Sequence, residues 1–167
     1  MYQSEPSEGT NGRSIPTPRG KVIGGSSSIN GLIFNRGQRM DFDVWAQRGN
    51  KGWGYADILP YFQRYESYQD LSDDKFRGKT GEMTITNLSW RDPLCEAFIE
   101  GAASLGIPRN PDYNGETQLG TSYVQRSSTG KIRMSAARAF LKPAKKRSNL
   151  TIITNAYATE ILLDGKR

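Results

Sequence analysis

Arg19-Gly20-Lys21-Val22-Ile23-Gly24-Gly25-Ser26-Ser27-Ser28-Ile29-Asn30-Gly31 is the stretch on which the reading of this chain turns. Adjacent glycines allow positive φ and let main chain approach a ligand closely, while three serines offer hydroxyls and amides to an anionic or polar partner. Such a loop suits a phosphate or a flavin ring. It is neither a G-x-G-x-x-G fingerprint nor a Walker A loop, because Lys21 precedes the glycines where the Walker lysine follows them. On spacing alone, a structural turn explains the segment as well as a ligand loop does.

Upstream, residues 2 to 20 are rich in Gly, Ser, Pro and Asn, and Pro16 and Pro18 favour extended backbone, so a loop is expected there. Downstream, Asp41 to Arg48 reads as a short helix with Phe42, Trp45 and Ala46 on one side and Gly49 past its end. A second helix is expected over Tyr55 to Tyr65, with Asp57 suited to cap it and Pro60 tolerable only in its first turn. Pro93 to Leu105 gives the clearest helical pattern: Asp92 is the N-cap candidate, and Leu94, Phe98, Ile99, Ala102 and Leu105 make an apolar stripe that Gly106 and Pro108 end. Strand signals fall at Glu82 to Thr86, Ser122 to Arg126, Leu150 to Thr154 and Thr159 to Leu163. Ser135 is placed to cap a helix through Leu141. Helices mixed with strands make this an α/β, or mixed α+β, chain.

Composition narrows the chemistry. The 167 residues include one cysteine, Cys95, and no histidine. An internal disulfide, a His/Cys metal site, and Ser-His-Asp or Cys-His catalysis within the chain are therefore excluded. The net charge of +6 includes a basic run from Lys142 to Arg147, but that run lacks the interleaved aromatics of a nucleic-acid surface and reads as a solvated helix end. No run of about 18 apolar residues is present to span a bilayer. The expectation is a cytoplasmic protein, or one peripheral to the membrane, without a nucleic-acid partner.

Residues 19 to 43 closely resemble the first signature of the glucose-methanol-choline (GMC) flavoprotein oxidoreductases, in Arg19 to Lys21, Gly24 to Ser27, Asn30-Gly31 and Arg36-Gly37. Further elements follow in family order: Gly52-Trp53-Gly54-Tyr55 with Leu59-Pro60-Tyr61-Phe62, the Asp112-Tyr113-Asn114-Gly115 turn, and Arg133-x-Ser135 leading to Ala139-Phe140-Leu141. The resemblance covers essentially all of the chain and is nearest to bacterial choline dehydrogenase-like members. It implies the N-terminal FAD-binding region of such an enzyme over 1–167. This would be an internal piece of an FAD/NAD(P)-binding-type domain lacking its first βαβ unit, with part of the flavin attachment loop, lid and substrate-domain elements.

For individual positions, the resemblance implies FAD contacts along Val22, Gly24, Gly25, Ser26 and Ser27, continued by Asn30, Gly31, Leu32 and Ile33. A strand pair over 149–164 would touch the adenine at Ala158. Arg19 and Lys21 are either phosphate partners or surface residues. Some members attach FAD covalently through a histidine just before this asparagine; Ile29 stands there, which implies noncovalent FAD. The family's catalytic histidine and its dinucleotide fingerprint have no match here, so no catalytic and no metal residue is assigned in this chain. The implied reaction is hydride transfer from a small-molecule alcohol to flavin N5, with electrons passing to a quinone, another acceptor or oxygen; a homo-oligomer is compatible with it. Trp45, Trp53, Trp90 and Tyr61 read as packing residues, with a quaternary-ammonium cage as the competing reading. The competing function is a non-catalytic module holding a nucleotide or phosphate.

Overall fold

The computed structural model describes residues 2–70 and 75–165. Its centre is a mixed four-stranded sheet in the order β3-β4-β5-β6, formed by Glu66–Tyr68, Met83–Thr86, Arg126–Thr129 and Ile132–Arg133. β3 and β4 run parallel, pairing Glu66 with Met83 and Tyr68 with Ile85, whereas β5 lies antiparallel to β4 and to β6. A separate two-residue ladder joins β1 (Tyr2–Gln3) to β2 (Pro16–Thr17), so the segment expected to be pure loop closes on itself. The helices are α1 (Arg39–Gln47), α2 (Tyr55–Tyr65), α3 (Pro93–Ser104) and α4 (Lys142–Ala144), the last preceded by a π-helical turn over Ala137–Leu141.

Local chemistry explains the helix ends. Asp92 caps α3 as its sequence predicts, its Oδ1 accepting from the amides of Leu94 (2.9 Å) and Cys95 (3.3 Å). In α2 the capping position falls to Gly54, and Asp57 reaches back to accept from the Gly54 amide at 3.2 Å. Pro60 sits in the second turn of α2 instead of the first. Both Pro60 and Ala56, the residue whose carbonyl loses its helical partner, face solvent, so water can take up that carbonyl. The inward face of α3 is Glu96, Ile99 and Ala102, while Leu94 (79% exposed) and Phe98 (71% exposed) point away, so only part of the expected apolar stripe is buried.

Three strand expectations are corrected. The strand near Ser122 to Arg126 forms later, at Arg126–Thr129, because the backbone of Asn110 and Pro108 claims Thr121 and the carbonyl of Gln125 is taken by the amide of Phe34. Neither Leu150 to Thr154 nor Thr159 to Leu163 is a strand. A strand exists only where a neighbouring ladder accepts its hydrogen bonds, and no described strand pairs with residues 150–163, which are exposed almost throughout.

Apolar burial is sparse, with Tyr55, Tyr68, Phe76, Ile85, Ile99 and Ala139 as the buried hydrophobic residues among those described. Beside them lies a buried polar cluster. Glu66, fully buried, accepts from Arg36 Nη2 at 2.5 Å, from Arg77 Nη2 at 2.6 Å and Nε at 3.1 Å, and from the Gly78 amide at 3.0 Å. Arg77 also pairs with Asp112 and donates to Gln125 Oε1 at 2.9 Å, and its guanidinium lies 3.8 Å from the centroid of the Tyr68 ring. Two arginines and two carboxylates leave the cluster neutral. Burial pulls the Arg36 guanidinium down, with Glu66 opposing that pull. Burial also lowers Arg77, but its hydrogen bonds and charge attraction to Glu66 outweigh this and carry it upward.

Glu66→Gln leaves two buried guanidinium groups short of one negative charge. Urea unfolding should show a loss of about 3–5 kcal/mol; a loss below about 1 kcal/mol would mean the pair contributes no more than a surface ion pair. Burial, with the Asp112 charge second, pushes the Tyr68 hydroxyl up to about 12. The folded state therefore holds its proton after the unfolded tyrosine has lost it, so this contribution is intact below about pH 10 and declines toward pH 12. Unfolding measured across that window should fall less steeply for Tyr68→Phe, and an unchanged slope would contradict the assignment.

Candidate functional site

The glycine-serine segment is held as a defined turn. Gly24 (φ 94°) and Gly25 (φ 58°) occupy the left-handed region, and Gly25–Ser28 form one turn of 3-10 helix. Gly20 is needed for contact: a Cβ there would lie 2.3 Å from the Gly25 carbonyl oxygen. A Cβ on Gly24 would meet Ser28 Oγ at 2.5 Å and Ala137 Cβ at 3.1 Å. A Cβ on Gly25 would meet nothing within 4 Å, so that side of the turn is open.

The serines close the turn from inside. Ser26 Oγ accepts from the Gly20 amide at 3.2 Å, and Ser28 Oγ donates to the Ile23 carbonyl at 3.0 Å. Ser27 Oγ donates to the Gly24 carbonyl at 2.5 Å and accepts from the Ala136 amide at 2.9 Å, which fastens the turn to the start of the π-helical segment. The hydroxyls of all three serines thus serve the loop itself.

Asn30 makes an Asx turn, its Oδ1 accepting from the Leu32 amide at 3.2 Å. Leu32 has φ 68°, a conformation costing a non-glycine residue about 1–2 kcal/mol. It is held there because its carbonyl also accepts from the Ser127 amide at 3.0 Å, so the sheet fixes it from the other side. Ile33 bridges to Arg126 and is exposed.

A cleft of about 620 Å³ separates Lys21, Val22 and Ile23 from Ile152 through Tyr157. Its walls at Val22, Ile23, Ile152, Ile153 and Tyr157 are apolar, while Lys21 supplies a cation and Thr154 and Asn155 supply polar groups. A flat ring carrying an anionic group fits that donor set. Of the residues the sequence singled out, Val22 lines this cleft. Gly24 to Ser27 build the adjacent turn, whereas Asn30 to Ile33 lie beyond it toward the sheet. Ala158 is exposed and does not line the cleft; its neighbours Ala156 and Tyr157 do. Arg19 turns away to donate to the Pro18 carbonyl at 2.8 Å.

Trp45 and Trp53 pack edge to face at 5.7 Å, in a row of rings with Phe42, Tyr55 and Phe62 between α1 and α2. That is inter-helix packing with one half-exposed side.

Residues 3–167 match the model of the family described as GMC oxidoreductase. The chain belongs to that family. It is 45% identical over 166 residues to an oxygen-dependent choline dehydrogenase of Brucella ovis, covering 99% of this chain and 30% of that protein. A pyridoxine 4-oxidase from Mesorbium loti superposes with a TM-score of 0.83 at 37% identity, over 92% of this chain and 30% of that one. An FAD-dependent oxidoreductase from Chaetomium thermophilum gives 0.88 at 26% identity, over all of this chain and 31% of that one. This GMC oxidoreductase chain thus spans about 30% of the length of the relatives it matches.

Arg133 and the 135–141 segment stand in the sequence as family elements with no expected cofactor contact. In the structure they carry the loop: Arg133 Nη1 donates to the Ser27 carbonyl (3.2 Å) and to Asn30 Oδ1 (2.7 Å). Gly24→Ala should push the turn off Ala137 and cost more stability than Gly25→Ala, where only the left-handed φ opposes the methyl group. Thermal unfolding of the two variants checks this, and equal losses would show that the Ala137 contact does not matter.

Proposed function

We propose that this chain forms part of the FAD-holding surface of an oxidoreductase acting on the CH-OH group of an alcohol. The observation that carries the reading is the cleft bounded by Lys21–Ile23 and Ile152–Tyr157, next to a turn whose main chain is open on the side-chain position of Gly25. Open main chain with positive φ lets a planar ligand lie close, and Lys21 at the cleft offsets phosphate charge. The relatives support the substrate class. One is named for choline and another for pyridoxine, both of which carry a primary alcohol.

In this reading Val22, Gly24, Gly25, Ser26, Ser27, Asn30, Gly31, Leu32 and Ile33 lie along the cofactor, and the stretch around Ala158 meets its adenine end. The serine hydroxyls keep the turn shaped, so that backbone and not side chain meets the ring system. When bound, FAD supplies the two-electron acceptor for the hydride leaving the alcohol carbon, the electrons then passing to a quinone, another acceptor or oxygen. The chain has no histidine, and the base that takes the hydroxyl proton is assigned to a segment outside these residues. Ile29, 56% exposed beside the turn, has no atom able to bond a flavin carbon, so attachment is noncovalent.

The test uses the full-length protein. It should be yellow, release intact FAD on acid precipitation, and lose FAD affinity on Gly25→Ala by more than any accompanying drop in stability explains. A well-folded, colourless protein that takes up no FAD when offered it would falsify the proposal; retention of ADP without FAD would favour a nucleotide-binding module instead.

A further inference from the structure

We propose that Arg133 is a positioning residue that fixes the Asn30 side-chain amide with its oxygen turned inward and its NH2 turned outward toward the cofactor; this rests on the FAD reading above. An arginine side chain has only donors, and so does the Leu32 backbone amide. Both converge on one atom of Asn30, at 2.7 and 3.2 Å, so that atom must be the oxygen. The amide is therefore locked in one of its two orientations. Among the described residues Nδ2 has no acceptor, and Asn30 is exposed, so two N–H groups are left facing outward from the loop.

The geometry also explains why an arginine suits this position. Nη1 spans two points of the loop, the Ser27 carbonyl at 3.2 Å and the Asn30 oxygen, tying the end of the 3-10 turn to the Asx turn that follows it. Arg133 lies in β6, whose partner β5 contributes the Ser127 amide to the Leu32 carbonyl. The sheet thus reaches the loop through the side chains of Arg133 and Ser127 and the Ser127 amide, and the loop's donors are set against a rigid element. The ligand chemistry this selects is an acceptor atom such as a ring carbonyl or ring nitrogen, and not a cation.

The experiment compares wild type, Arg133→Gln, Arg133→Lys and Asn30→Asp in the full-length protein. The readouts are FAD titration, the visible flavin spectrum and urea unfolding. Asn30→Asp keeps an acceptor for both Arg133 and Leu32 but removes the outward donor. Arg133→Gln keeps the Asn30 side chain but frees it to turn over.

Both should weaken FAD by about tenfold and shift the flavin absorption bands in the same sense. The double variant should be little worse than either single one, and Arg133→Lys should recover part of the affinity. If Arg133→Gln lowers stability but leaves affinity and spectrum at wild-type values, Arg133 is only a structural tie and the proposal is overturned while the FAD reading stands. If wild type itself takes up no FAD, both readings fall together.

Discussion

The Glu66 carboxylate, set between the guanidinium groups of Arg36 and Arg77, is the interaction on which the rest of the molecule depends. A carboxylate this deeply buried survives only with full compensation, and here two cations and a backbone amide supply it. The three residues come from separate parts of the chain: Arg36 follows the glycine-serine loop, Glu66 opens β3 at the end of α2, and Arg77 lies in the connection to β4. Asp112 extends the cluster to the turn at 112–115, and Gln125 extends it to the approach to β5, donating to Asp112 Oδ1 at 2.9 Å. Ion pairing therefore specifies which segments meet, in a chain whose apolar core is too small to do so alone.

From that cluster the position of the loop follows by a short path. Asn114 accepts from the Arg36 amide at 2.7 Å and donates to the Phe34 carbonyl at 3.2 Å, and the Tyr113 hydroxyl donates to the same carbonyl at 2.9 Å. The Phe34 amide donates to the Gln125 carbonyl, and Gln125 returns its own amide to the Tyr113 hydroxyl. The backbone groups of Leu32, Phe34 and Arg36, at alternate positions, are thereby tied to the start of β5 and to the segment from Tyr113 to Gln118. The family turn at Asp112-Tyr113-Asn114-Gly115 thus serves architecture: its polar side chains are spent inside the protein.

How much of this was legible in the sequence depends on the range of the forces involved. Asp92 as the cap of α3 and the extent of α2 are decided within a few residues, so periodicity and capping rules reached them. The expected strands within 150–163 do not form because β-branched Ile and Thr report a tendency to extend, whereas a ladder requires a neighbour that composition cannot reveal. Pro60 was placed too early because its tolerance rests on which way Ala56 faces, a tertiary fact. The loop was found through its glycines, yet the role of its serines was not, since a hydroxyl reads the same whether it serves a ligand or its own backbone. Arg133, more than a hundred residues away, carried no local signal beyond its place in a family pattern.

The division of labour between side chain and main chain in the loop has a physical reason. A hydroxyl left free on a flexible turn would rotate and compete for water, whereas one bonded within the turn removes conformational freedom before any ligand arrives. The structure takes this course at Ser26, Ser27 and Ser28, and again at Asn30, where both inward contacts use the oxygen. The left-handed Leu32 is the local cost of that arrangement, met by hydrogen bonds from Asn30 on one side and β5 on the other. In the proposed cofactor-holding role, a surface built this way would recognise shape and acceptor atoms through rigidity. On that reading its shape is owed to Arg36, Glu66, Arg77 and Arg133 as much as to the residues that lie along the cleft.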